Sequence, residues 1–301
     1  MKHNLVRRNM LKNSLFTLLG IVFFKNLARA NPAKTDAFSG STLTDEPVND
    51  TLRTIQNLYT THGNFSDREV SDENLALIKE ACIRAANSSN MQTYSIVVVK
   101  DRDLMQKVCG YRGSCMMLFN VDYNRLLSSA ESLGLTYYPD NMTSFITAGI
   151  NTSITAQTAT IAARSLGIDT LLTNGIHRGN MERLWQLLGL PEKYCMPLIA
   201  LVLGYADQQP DHKVGRLTGK GIFHDKSYQK LSNEEITGIN SQYDDPSRHL
   251  GLYDDWKKEG HEHYLEWLFK VWLKRDSAPT ESETQLFTQL QKRGFVELQP
   301  K

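Results

Sequence analysis

From Ser71 to Leu203 the chain exchanges two hydrophobic rhythms. Leu75, Leu77, Ile78, Ala81, Cys82 and Ala85 recur at helical spacing behind a capping Ser71, predicting a helix over 71–86. The continuous run at 95–99 then predicts a short buried strand. The same exchange repeats downstream. Asp101 and Asp103 open a short helix that ends near Gly110, Met116–Val121 reads as a strand, and 122–133 as a helix. The longest periodic segment, 141–166, carries Phe145, Ile146, Ile150, Ile154, Ala159, Ile161, Ala162 and Leu166, with Gly167 as its C-terminal stop. Its other positions are small or polar, which suits either a central helix buried nearly all round or a helix at a dimer interface. Strands at 168–173 and 196–203 flank a helix at 180–188, and Leu52, Ile55 and Leu58 mark an earlier helix over 50–61. Helices alternating with short buried strands predict an α/β or α+β layer fold, a sheet covered by helices.

Composition narrows the classes. The 301 residues are 41% apolar, enough for a core, and a net charge of +1 gives no reason to expect nucleic acid. No run of 18 apolar residues occurs, so no stable membrane span is expected in the mature chain. The four cysteines, 82, 109, 115 and 195, form no Cys-x-x-Cys and are too few for a disulfide framework, although 109 and 115 are close enough to bridge. His261 and His263 stand at i, i+2 and so point to different sides of a helix, which argues against a shared metal; no metal site is expected. Trp256, Trp267 and Trp272, with Tyr264, Leu268 and Val271, read as a packing face, and Thr280 with Glu283 as a capping box for a last helix ended by Gly294.

The segment Ala85-Ala86-Asn87-Ser88-Ser89-Asn90-Met91-Gln92-Thr93-Tyr94 breaks the rhythm. It joins a helix to a strand with amides and hydroxyls and has no Gly or Pro. Its side chains either cap the helix and close turns, or bind the edge of a flat heterocycle that both donates and accepts. The segment resembles the FMN-binding signature of the nitroreductase family, Ala-Pro-Ser-x-x-Asn-x-Gln-Pro-Trp. It aligns without a gap: Asn90 and Gln92 match, Tyr94 stands for Trp, and Ala86 and Asn87 replace Pro and Ser. Ala148 through Leu190 is similar to the family's long helix and its Leu-Leu-Gly-Leu-Pro-Glu end, and Leu201–Tyr205 to its closing strand. The likeness covers roughly residues 50–220.

The resemblance implies an α+β fold with a central, mostly antiparallel sheet flanked by helices, and a helical C-terminal extension over 221–301 that wraps the core or a partner. It implies bound FMN, whose N5 carries the chemistry, so no catalytic side chain is assigned. Asn90 would bond the polar edge of the ring with Asn87 and Gln92 in support, and Thr173, Asn174 and Gly175 would present backbone N–H groups toward N5. Family members hold the phosphate with arginines just before a Phe near the N-terminus and with Lys-x-Arg after the last strand. In Tyr59-Thr60-Thr61-His62-Gly63-Asn64-Phe65 those arginines are missing, leaving Thr61 and His62 as candidates and Arg53 upstream as an outside one. Lys213-Val214-Gly215-Arg216 keeps the second element with one extra residue, and Lys213 and Arg216 are the expected cation pair or else a solvated basic loop.

The expected activity is that of a homodimeric FMN-dependent oxidoreductase. A reduced donor loads the flavin, leaves, and is followed by a small-molecule acceptor such as a nitroaromatic or quinone. Dehalogenase-like or desaturase-like chemistry on the same fold is the nearest alternative, and a flavin-less or sensing binding protein the rival from another class. Arg7, Arg8, Met10, Leu11 and Lys12, the apolar run Leu15–Phe24 and Ala28-Arg29-Ala30 form a signal peptide over 1–30. It is of twin-arginine type, or else an ordinary secretory signal or retained anchor, with a polar linker at 31–49. The expected donor is NAD(P)H, as the resemblance implies, or a quinol or redox protein: NAD(P)H is scarce in the periplasm or another extracytoplasmic space, so either the donor differs or the signal reading fails. Cleavage after Ala30 removes six basic residues and no acidic one, leaving the mature chain net negative.

Overall fold

The computed structural model describes residues 49–274 and 281–296; the predicted signal peptide, nearly all of the predicted linker, and Thr280 of the predicted capping box lie outside them. The elements run α1 (Asp50–Gln56), α2 (Asp72–Ile83), β1 (Tyr94–Val99), α3 (Arg102–Cys109), β2 (Cys115–Asp122), α4 (Asn124–Ser132), α5 (Met142–Ser165), β3 (Asp169–Thr173), α6 (Arg183–Leu188) and β4 (Cys195–Gly204). In the C-terminal part follow α7 (Asn233–Asp244), α8 (Tyr264–Trp267), continued by a wider turn over Leu268–Trp272, and α9 (Glu281–Lys292). Helix starts follow the caps: Ser71, Asp101 and Asn141 each accept a backbone N–H three residues on. Helix α1 stops at Gln56, short of the predicted 61, because Asn57 caps it and the chain turns to lie beside β3.

The four strands form one antiparallel sheet in the order β1-β2-β4-β3. Helices cover both faces, which is why β2 is buried along nearly its whole length. Met117 and Phe119 face α2 and α5 through Ile78, Cys82, Ala156 and Ala159. Met116 and Leu118 face α3 and α6 through Met105, Val108 and Leu184, and the chain end returns to this second core with Leu290 and Phe295. Trp256, Tyr264 and Trp267 make a separate small core, while Trp272 and Val271 are exposed. All four cysteines are buried and unbridged. Burial pushes the Cys82 and Cys115 thiols up to about 11, so neither is a nucleophile at neutral pH.

Helix α5 is not buried all round, contrary to one of its two sequence readings. It lays Ala148, Thr152, Thr155, Ala156, Ala159 and Ala163 against the protein, and exposes Met142, Ile146, Ile150 (55%) and Ile154. Small side chains let the helix approach closely, and the buried threonines satisfy their hydroxyls on carbonyls one turn back. The large residues are left as a stripe at four-residue spacing on the open side.

Candidate functional site

Two groups of residues stand out, at opposite corners of the sheet. The first is the amide loop before β1. Asn87 Oδ1 accepts the Gln92 N–H at 3.0 Å and its Nδ2 donates to Ala85 O at 3.4 Å, so both ends of this amide close the loop. Asn151 of α5 braces the loop by accepting the Ser88 N–H and donating to Thr93 Oγ1. Arg125 donates to the carbonyls of Met91 and Gln92. Within this frame Ser89, Asn90 and Gln92 hold φ near +50°, a strained conformation for residues with a Cβ. Asn90 is exposed at the tip of the loop, and Gln92 is half-buried.

The second group lies where β3 begins. The stretch Tyr59–Ser66 runs beside that edge: Thr61 N–H donates to Thr170 O at 2.9 Å, Ser66 N–H to Tyr205 O at 2.7 Å, and Phe65 bridges Ala206. Asp169, buried, accepts from Tyr59 Oη at 2.7 Å, Ala206 N–H at 2.8 Å, Gln209 Nε2 at 3.2 Å and the Arg164 guanidinium. Burial pushes this carboxyl up, but the four donors outweigh it and hold it below its ordinary value. The Arg164 guanidinium also lies over the Tyr59 ring, 4.0 Å from its centre. A cavity of about 420 Å³ opens here, lined by Asn57, Tyr59, Arg164, Gln209, His212 and Lys213. Lys213 Nζ reaches across it to Gln56 O and Asn57 Oδ1. Thr61 Oγ1 is buried without a hydrogen-bond partner.

The C-terminal part fixes the Lys213 loop. Gly215 N–H donates to His249 O at 2.9 Å, and the His212 and His249 rings stack with centres 3.7 Å apart. A Cβ at Gly215 would stand 1.9 Å from Arg248 O, so only glycine fits there.

The structure therefore groups Lys213 with Asn57 and Tyr59. It leaves Arg216 out of the cavity, its guanidinium donating to the carbonyls of Val214 and Gly215 in its own loop. His62 is exposed. Thr173, Asn174 and Gly175 sit at the far end of β3, where the Gly175 N–H donates to Thr173 Oγ1 at 3.0 Å. Sequence reasoning missed Tyr59, Arg164, Asp169 and His212. Arg164 and Asp169 flank the turn at Gly167, and that pairing was the available signal. Among the described residues no cluster could hold a metal ion.

Comparison with known proteins decides the family. The FMN reductase (NAD(P)H) of Bacillus subtilis strain 168 is 31% identical over 192 residues, spanning 60% of this chain and 75% of that protein. The chain belongs to the nitroreductase family. The oxygen-insensitive NADPH nitroreductase of Salmonella typhimurium is 30% identical over 188 residues, 59% of this chain and 75% of that one. Among solved structures, NfrA2 of B. megaterium matches 83% of this chain and all of its own, with a TM-score of 0.69 and 26% identity. No family model matches the chain. The nitroreductase fold thus accounts for the four-stranded antiparallel sheet, and it extends over more of the chain than the sequence likeness does.

Proposed function

We propose that the protein is an FMN-dependent oxidoreductase working as a homodimer. The observation that carries this reading is the placing of two cofactor-type groups on a nitroreductase-family sheet. The residues present fit the group. Arg164 and Lys213 offer cations to a phosphate in the cavity they line, and Asn90 offers an exposed amide on a braced, strained loop.

The spacing supports a second copy. Asp169 and Thr173 bound β3, about 13 Å apart at ordinary strand rise, a length comparable with flavin mononucleotide. The amide loop is set by Tyr94, level with Val121 and Met196, whereas Asp169 is level with Gly204, eight residues along β4, and lies three strands from Tyr94. That separation is on the order of 30 Å, beyond the reach of one flavin. The amide loop and the phosphate cavity serve one flavin only if different subunits supply them, and the exposed isoleucine stripe of α5 gives the subunits a surface to share.

The chemistry supplied by bound FMN is acceptance of a hydride at N5 from a reduced donor, then its delivery to a nitroaromatic, quinone or similar acceptor in ping-pong order. The protein's part is positional. Lys213 and Arg164 fix the phosphate end, Thr173–Gly175 line the middle of the site, and the Asn90 loop bonds the ring edge. The names of the relatives support a nicotinamide donor. Residues 1–30 act as an export signal, supported by the paired arginines, the apolar run and Ala28-Arg29-Ala30.

Purification and reduction test this reading. A protein with a flavin absorption band that is bleached by NADPH, NADH or a quinol supports it, and stopped-flow mixing with the three side by side identifies the donor. A colourless chain that cannot be reconstituted with FMN would mark a flavin-less binding protein. Mass spectrometry of the exported protein reports whether cleavage follows Ala30.

A further inference from the structure

We propose that Arg164 is the anchor for the phosphomonoester of the bound flavin, held in place by Asp169 and Tyr59; this rests on the FMN reading above. The stretch 59–65 contains no arginine, yet the structure brings one to the same place from the last turn of α5.

Three observations carry the assignment. Arg164 is only 14% exposed, and its pairing with Asp169 uses one of its two terminal nitrogens. Besides Asp169 the guanidinium meets the Tyr59 side chain, and its remaining N–H donors leave a desolvated fork lining the cavity. Asp169 is no competitor for an incoming anion, because Tyr59, Ala206, Gln209 and Arg164 fill its acceptor positions. It acts as a positioning residue, and the Tyr59 ring supports the guanidinium plane from below. Finally, the charges do not cancel. Arg164 and Lys213 face one carboxylate, leaving the cavity net positive. A phosphomonoester, carrying between one and two negative charges at neutral pH, completes that balance. The 420 Å³ volume exceeds what a phosphate alone fills, as a phosphate on a longer molecule requires.

The test compares FMN with riboflavin, which lacks the phosphate, on the full chain by quenching of flavin fluorescence. The wild type should prefer FMN. Arg164→Met should weaken FMN binding by roughly 10- to 100-fold, the range for losing hydrogen bonds to a charged group, and leave riboflavin binding unchanged. Arg164→Lys, which keeps a cation beside Asp169, should fall between, and riboflavin affinity reports that both variants are folded. Inorganic phosphate should compete with FMN and not with riboflavin in the wild type. An unchanged preference for FMN over riboflavin in both variants overturns the proposal. So does a change confined to NADPH-over-NADH preference, which would give the phosphate site to the donor. A wild type that binds neither flavin refutes the FMN reading itself, a different result from either.

Discussion

At Asn87 both ends of the side-chain amide are used by the loop, and at Asn90, three residues on, neither is. The two residues should therefore fail in different ways. Asn90→Ala is expected to weaken FMN retention about tenfold, the value of one good hydrogen bond to the ring, with the melting temperature unchanged. Asn87→Ala should lower stability by about 1 kcal/mol, because the Gln92 N–H loses its acceptor, and should weaken flavin binding only through a looser loop. Thermal melts and flavin titrations of the two variants separate these effects; equal flavin loss in both would remove the distinction. The resemblance pointed to this loop and gave Asn90 the ring edge with Asn87 and Gln92 in support, but not the reason. Which amide is free depends on backbone geometry at Ser89, Asn90 and Gln92, where φ is positive.

At the scale of elements, α5 shows how a period can be legible while the choice between its two readings is not. Its helical extent was legible from 141–166, but the side laid on the sheet is set by how closely a helix can approach, which favours Ala and Thr over Ile. The loop Lys213–Arg216 depends likewise on an element distant in sequence. Gly215→Ala places a Cβ against Arg248 O, so it should displace Lys213 and weaken FMN binding several-fold while riboflavin binding holds, measured by the same titration.

The docking of α9 rests on Arg293, fully buried, paired with Glu182 and Glu192 and stacked 3.7 Å over Trp185. The hydrogen bond from Lys292, then those from Arg293 and Gln289, hold the Glu182 carboxyl down to about 2 from its ordinary 4.5. A lowered carboxyl pKa stabilises the fold above the unfolded value, and that contribution is lost as pH falls through the folded one. The α9 contact should therefore weaken between about pH 4.5 and 2, read by Trp185 fluorescence, and Glu182→Gln should flatten that dependence. Arg293→Met should cost about 1–3 kcal/mol in urea unfolding, because the half-buried Glu182 loses one charged hydrogen-bond donor while keeping Lys292, and Glu192 turns to solvent.

For the whole molecule, the proposed homodimer rests on the separation of the amide loop from the cavity at Arg164 and Lys213. Ile150→Glu, in the middle of the exposed stripe of α5, should yield a monomer by light scattering and lower FMN affinity even though Ile150 touches neither group. A variant that stays dimeric, or a monomer with full FMN affinity, would break the link between assembly and cofactor.

Hydrophobic rhythm, caps and turn residues by themselves determined the order of helices and strands, because these are local properties of a few consecutive residues. The amide loop and the Lys213 segment were legible for the same reason: each is a contiguous run with a chemical character. The cluster of Tyr59, Arg164, Asp169 and Lys213 was not, since its members are scattered over more than 150 positions and meet only when the chain before α2, the turn after α5 and the segment after β4 converge on one strand end. Tertiary structure alone decided that Arg164 and Lys213 line one cavity with Tyr59, because electrostatic complementarity acts through space and leaves no period in the sequence.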